Sequence, residues 1–259
     1  MQNYRTVAVS AARQAGKIIA DAYQTKFRVY YKQGGVTNLV TEVDRSSEAA
    51  IVEVLSAAFP DHRILAEEGG EAEGRRSLYR WYVDPLDGTT NFAHGFPAFC
   101  VSIGLEVEGR MILGIVYDPL RNELFEAEAG TGAFLNGERI RVSQVASLNK
   151  ALLVTGFPYD HDGRRQNLPY FERFALESQG VRRTGSAALD LCYVAAGRID
   201  GFWELKLFPW DVAAGSLLVA EAGGSMTDFL GHPFSVHGSQ TLASNGLIHQ
   251  AMMDVIASK

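Results

Sequence analysis

The stretch VDPLDGTTNF, Val83 to Phe92, sets Asp84 and Asp87 three positions apart around a Pro-Leu pair. Two ionised carboxylates held that close repel, and at neutral pH one must take a proton unless a cation lies between them. Pro85 stiffens the turn that this spacing predicts, so the acids cannot easily swing apart. Hard oxygen ligands with no His or Cys beside them select magnesium, manganese or calcium over zinc. A calcium EF-hand loop is excluded, because its acids fall at every second position. Gly88 permits close backbone approach, and Thr89-Thr90-Asn91 can start a helix whose N–H groups point at an anion. A threonine hydroxyl beside a carboxylate also orients water. Cations, an anion cradle and an oriented water describe metal-assisted hydrolysis of a phosphate ester.

Other acids stand at the ends of apolar runs: Glu67 and Glu68 after RILA, and Asp211 ahead of VAAGSLLVAEAGG. Each has a plainer reading, Asp211 as a helix N-cap and the glutamates as solvated loop charges. No covalent nucleophile is visible, since the chain has no GxSxG, no reactive cysteine setting and no Walker A loop.

A net charge of -6 argues against a protein that lives on phosphate backbones, and it leaves a question for any anionic substrate. A bound cation answers it. Cys100 and Cys192 lie in apolar runs and read as small buried side chains of a reducing compartment. Arg5, Arg13 and Lys17 interrupt the N-terminal alanines, so no secretory segment is expected there. No apolar run approaches the ~20 residues of a membrane span. A cytoplasmic location is expected.

These acids need elements to deliver them. Apolar residues at helical spacing predict a helix over Tyr4 to Tyr23, and a second follows Ser46 or Ser47 as cap and closes at Pro60. Arg63 to Ala66 and Arg80 to Val83 read as strands that end at Glu67 and Asp84, joined by the polar loop Gly69 to Ser77. Phe99 to Val107, Met111 to Tyr117 and Asn122 to Ala127 read as an antiparallel meander, with Asn136-Gly137 as a hairpin turn. Around Ser143 to Lys150 the composition turns polar, so the expected division is an α+β part over 1–145, carrying the acidic stretch, and an α/β part over 146–259. The second part reads as strands at Ala151 to Thr155, Ile199 to Glu204 and Thr241 to Ser244. Helices are expected over Leu168 to Ser178, Ser186 to Ala196, Val212 to Ala222 and Gly246 to Ser258. Alternation of this kind implies a sheet covered on both faces.

WYVDPLDGTTNF and WDVAAGSLLVAEAGG resemble the two signatures of the inositol monophosphatase family. The AEEG and VTEVD segments and RRTGSAALDLCYVAAGRIDGF stand in that family's order, so the likeness spans essentially the whole chain and is closest to the bacterial branch. The resemblance implies a layered α/β/α/β/α sandwich of the sugar-phosphatase type, a homodimer, and magnesium-dependent hydrolysis of a phosphate monoester that lithium inhibits. Manganese would be a possible substitute. It also implies two or three metals per subunit. One would be held by Glu67, Asp84 and the Leu86 carbonyl, another by Asp84, Asp87 and Asp211, and a weaker third near Glu67. Glu67 and Thr89 would orient the attacking water with Asp44 behind the threonine, while Gly88 and Thr89 would offer N–H groups to the phosphate. Gly185, Ser186, Ala187 and Glu204 would meet the alcohol portion, with Asp87 and Asp211 near its hydroxyls.

Two departures from the animal enzymes stand out: Phe208 where they carry a histidine, and Ala66 in place of a glycine. A broader sugar phosphatase, including fructose 1,6-bisphosphatase activity, is the alternative within the same class. Some bacterial relatives also act in transcription and ribosomal RNA maturation, and Arg182-Arg183 is a basic pair such a role could use.

Overall fold

The computed structural model describes residues 4–31, 38–71 and 77–258. Helix α1 (Tyr4–Ala22) buries Ala8, Ala11, Ala12, Ala15 and Ile19 along one face, as the spacing predicts. Two strands missed in the sequence, β1 (Val29–Tyr31) and β2 (Leu39–Thr41), then pair antiparallel; at three residues each they are too short to show alternation. Helix α2 (Glu42–Ala58) is capped by Thr41 and not by Ser46 or Ser47. The Thr41 hydroxyl accepts from the Val43 and Asp44 N–H groups, and the Asp44 carboxylate accepts from the Thr41 N–H at 2.8 Å. This is a capping box with Asp at its third position, and it starts the helix earlier than the serines would.

The first sheet contains β3 (Arg63–Ala66), β4 (Gly70–Glu71) and β5 (Tyr79–Asp87). After the short helix α3 (Thr89–Ala93) come β6 (Cys100–Val107), β7 (Arg110–Asp118), β8 (Glu123–Glu128), β9 (Gly132–Leu135) and β10 (Glu138–Ile140). From β5 to β10 each strand pairs antiparallel with the next, while β3 lies parallel to β5. Asn136 and Gly137 both take left-handed φ, at 50° and 84°, and make the expected hairpin turn between β9 and β10. Within the polar loop over Gly69 to Ser77, Gly70 and Glu71 form β4, and residues 72–76 lie outside the described residues.

Pro85 does not make the expected turn. Strand β5 runs on to Asp87, and its register against β6 shifts between Asp84 and Asp87. A bulge is where a sheet tolerates proline, because the ladder bond it cannot donate is missing there anyway. The bulge also re-aims the side chains on either side of it, here the two aspartates.

A 3₁₀ turn at Leu148–Lys150 leads into β11 (Leu152–Thr155), α4 (His161–Glu177), β12 (Gly180–Arg182), α5 (Ala187–Ala195) and β13 (Gly201–Leu205). The chain ends with α6 (Pro209–Glu221), β14 (Ser225–Thr227), β15 (Gln240–Ser244) and α7 (His249–Ala257). The five strands order as β12-β11-β13-β15-β14, with β11 parallel to both neighbours. Helix α4 begins at His161 and not at Leu168: Asp160 caps it through the Gly163 N–H at 2.7 Å, and its polar first turns carry no apolar period. Helix α6 likewise begins at Pro209, which occupies the first helical position where its missing N–H costs nothing.

The layers are α/β/α/β/α, as expected. Helices α1 and α2 cover one face of the eight-stranded sheet. Helices α5 and α6 fill the space between the two sheets. Helices α4 and α7 cover the outer face of the five-stranded sheet, where Phe174 packs on Trp203 with ring centroids 4.2 Å apart. Cys100 and Cys192 are buried and unpaired, as expected. Among the described residues no helix is long and apolar enough to cross a membrane.

Helix α6 lies so close to the first sheet that two strand positions below it have room only for glycine. A Cβ on Gly114 would stand 2.5 Å from the Ala214 carbonyl oxygen, and one on Gly104 would stand 2.9 Å from the Ala213 Cβ. The obstacle at Gly114 is helix backbone, so relief requires lifting α6. Gly114→Ala is therefore expected to cost about 1–3 kcal/mol, read as a fall of several degrees in melting temperature. It should also lower activity, because Asp211 travels with the helix.

Candidate active site

The parallel pairing of β3 with β5 continues one residue beyond the ladder, where the Glu67 N–H donates to the Val83 carbonyl at 3.1 Å. That bond sets Glu67 beside Asp84. Asp84, Leu86 and Asp87 follow along the bulge, and Asp84 is 2% exposed. Asp211 arrives from the other side as the third residue of α6, its carboxylate accepting from the Phe208 N–H at 2.7 Å. Phe208, not Asp211, is the capping position. Glu204 comes from β13, with its carboxylate packed against Gly156. These residues, with Gly88, Thr89, Gly185, Ser186 and Ala187, line one cavity of about 480 Å³. Of the predicted site residues only Asp44 stands behind the wall, and it contacts Thr89 directly.

One face of α2 serves as the back support. Asp44, Ser47 and Glu48 lie at helical spacing of three and four, so all point the same way. The Thr89 hydroxyl is 2.8 Å from Asp44 Oδ1 and 3.0 Å from the Leu86 carbonyl oxygen, so its proton is turned away from the cavity and its lone pairs remain available. Ser47 donates to the Pro85 carbonyl at 2.7 Å and fixes the bulge. Glu48 accepts from the Glu68 N–H at 2.8 Å and fixes the segment after Glu67. Ser47 and Glu48 escaped the sequence reading, though a signal existed: polar residues inside the apolar stripe of Val43, Ile51 and Leu55.

Gly88 has φ 95°, and a side chain there would strike the Ala98 carbonyl, so the step from β5 into α3 requires glycine. Asp87 is held from the middle layer, its Oδ2 accepting from the Ser186 hydroxyl and the Ala188 N–H, each at 2.7 Å. The Ser186 hydroxyl is thus engaged with an acid and not aimed into open space.

The electrostatics follow from this crowding. Burial, and then the charges of Glu67, Asp87 and Asp211, push the Asp84 pKa well above the ordinary aspartate value. Burial followed by Asp87 and Glu67 does the same to Asp211. Burial raises Asp87 too, opposed by the donors from Ser186 and Ala188. Asp190, overlooked in the sequence, is 1% exposed on the same cavity wall; Thr184 donates to one oxygen, and the other has no partner among the described residues. Burial raises its pKa as well, with Arg183 acting in the opposite sense.

Seven acids and two bases line the cavity. One base, Lys206, is already paired with Asp160 at 3.0 Å, which leaves Arg183 to face the remaining acids. A single guanidinium cannot balance them, and the lining contains no His or Cys. Among the described residues no three His, Cys, Asp or Glu side chains stand close enough together, as placed, to hold a metal ion. The donor types fit a hard divalent cation, since the carboxylates come from three elements and Leu86 lines the cavity beside them.

A layered α/β/α/β/α sandwich with this acid-lined cavity is the architecture of a sugar-type phosphatase. Matched against protein families, the chain fits the inositol monophosphatase family over residues 1–259, and it belongs to that family. It is 47% identical over 251 residues to Nus factor SuhB of Escherichia coli (strain K12), covering 95% of this chain and 93% of that protein. It is 45% identical to an inositol-1-monophosphatase of Synechocystis over 259 residues, covering 100% of this chain and 90% of the relative. Among solved structures, an inositol monophosphatase from Anabaena (Nostoc) superposes with a TM-score of 0.87 at 43% identity, covering 98% of this chain and 95% of the other.

The raised pKa of Asp84 fixes the sign of a stability test. The folded protein binds that proton more tightly than the unfolded chain, so Asp84 costs stability progressively as pH rises from about 4 through its folded value. Asp84→Asn is therefore expected to raise the melting temperature at pH 8 in the presence of a chelator. The gain should be on the order of 1–3 kcal/mol and should shrink toward pH 5. Melting curves of both proteins across that range check it, and a constant difference would count against the crowding.

Proposed function

We propose that this protein hydrolyses myo-inositol monophosphate to inositol and phosphate in a magnesium-dependent reaction. The observation that carries the reading is the arrival of Glu67, Asp84, Asp87 and Asp211 from three elements at one cavity that also presents Gly88 and Thr89. Glu67, Asp84 and the Leu86 carbonyl would hold one ion, and Asp84, Asp87 and Asp211 a second, with a weaker third near Glu67; manganese is a possible substitute. When bound, magnesium supplies Lewis acidity that favours ionisation of water and offsets charge developing on the phosphoryl and leaving oxygens.

The chain's own residues do the rest. Asp44 and the Leu86 carbonyl hold the Thr89 hydroxyl so that its oxygen accepts a hydrogen bond from water. Glu67 takes the proton as that water attacks phosphorus; the ester P–O bond breaks as the new one forms, and the departing inositol oxygen is protonated by solvent water. The Gly88 and Thr89 N–H groups meet the phosphate, while Glu204, Gly185, Ser186 and Ala187 bound the space for the alcohol, near Asp87 and Asp211. The protein acts as a homodimer in the cytoplasm. The Nus-factor name belongs to the Escherichia coli relative. A mainly partner-binding role is not favoured here, because Arg183 of the basic pair lines the acidic cavity and the acids are complete.

Phosphate release by the purified protein, with magnesium varied, tests the reading against inositol 1-phosphate, fructose 1,6-bisphosphate, glycerol 2-phosphate and an adenosine bisphosphate. Inositol 1-phosphate is expected to give the highest kcat/KM. Preference for fructose 1,6-bisphosphate would replace the substrate and keep the chemistry, whereas release independent of magnesium would remove the metal reading. Asp87→Asn should lower kcat by about 100-fold or more with an unchanged circular dichroism spectrum, and near-normal turnover would take Asp87 out of the site. Lithium should inhibit at magnesium concentrations that support activity.

A further inference from the structure

The acids occupy the floor of the cavity, and its wall beside Asp211 is of a different kind. Phe208 and Trp210 stack there with ring centroids 5.0 Å apart and planes 13° from parallel, and both line the cavity. Phe208 is 52% exposed, so its ring presents apolar surface into a concave space and not into a core. Its position is fixed at both ends: its N–H is bonded to Asp211 at 2.7 Å, and Pro209 follows it at the start of α6. An exposed ring stacked on Trp210, on a backbone held next to a carboxylate assigned to the reacting end, is placed to meet whatever is attached to the phosphate.

We propose that Phe208, backed by Trp210, is a specificity-determining platform that selects phosphate esters of ring alcohols over acyclic ones. The outer face of a stacked aromatic pair gains contact from a flat, weakly polar surface. The C–H face of a cyclitol or sugar ring supplies such a surface while its hydroxyls remain directed toward Glu204 and the acids. An open-chain polyol has the same hydroxyls and no face to lay on the ring. The inference rests on the phosphomonoesterase reading above and adds the group that reads the alcohol.

The test compares the wild type with Phe208→Ala and Phe208→Trp on inositol 1-phosphate and glycerol 2-phosphate. Phe208→Ala is expected to raise KM for the ring ester by about tenfold with kcat within about twofold, and to leave both constants for glycerol 2-phosphate nearly unchanged. Phe208→Trp should restore the ring preference. Equal losses on both esters, or no loss on either, would overturn the platform, provided melting temperatures show all three proteins folded. A binding measurement separates this from failure of the catalytic reading. Trp81 and Trp203 are buried in the cores, so a fluorescence change on adding ligand reports on Trp210. Titration with myo-inositol should give a saturable change that glycerol does not give and that Phe208→Ala removes. The absence of a ring-specific change in the wild type would sink the proposal even if the enzyme is active.

Discussion

Buried carboxylates repel one another, and Asp84, Asp87 and Asp211 are held at one cavity against that repulsion by donors from three separate places. The Leu86 N–H answers Asp84 within the bulge, the start of α5 answers Asp87, and the Phe208 N–H answers Asp211. None of these donors neutralises charge; each satisfies lone pairs and fixes direction. The acids are therefore oriented while their mutual repulsion remains and holds their pKa values up, a repulsion that a bound cation would relieve. Such an arrangement lowers stability locally and must be supported elsewhere, and the two packed sheets supply that support.

Each layer contributes a different part of the solution. The first sheet delivers Asp84 and Asp87 on a strand with a parallel neighbour, which brings Glu67 alongside. Helix α2 braces that sheet edge from behind through Asp44, Ser47 and Glu48. The middle layer closes the site from the front, α5 with donors for Asp87 and α6 with Asp211. The five-stranded sheet adds Glu204. A residue's place in this scheme follows from the layer it belongs to, and no single element could assemble the cavity.

Much of this was legible in the sequence because it is written in local signals. The apolar period of α1, the Asn136-Gly137 hairpin and the acidic stretch after WYV each depend on residues near one another in the chain. What escaped depends on long-range packing. The polar start of α4 has no period to detect, and β1, β2, β12 and β14 are three residues each and exist only because of their partners. Pro85 read as a turn because proline most often marks one; that β5 continues through it depends on β6 supplying a register that skips the missing donor. Arg183 stood in the sequence only as half of a basic pair, and only the folded chain shows this exposed residue lining the acidic cavity. Asp190 was hidden in an alanine-rich helix whose other residues are core. Phe208 was legible as a departure from a family pattern, and its stacking on Trp210 was not.

The seat of α6 on Gly104 and Gly114 has a consequence for ionic radius. Backbone against backbone is the stiffest contact a protein makes, since no rotamer can absorb a change. Asp211 is carried on that seat, so its spacing from the strand acids is set by main-chain contact and adjusts little. Magnesium demands short, regular oxygen distances, while calcium accepts longer and looser ones. Were a divalent ion held between Asp211 and the strand acids, a frame this rigid would resist the expansion a larger ion requires.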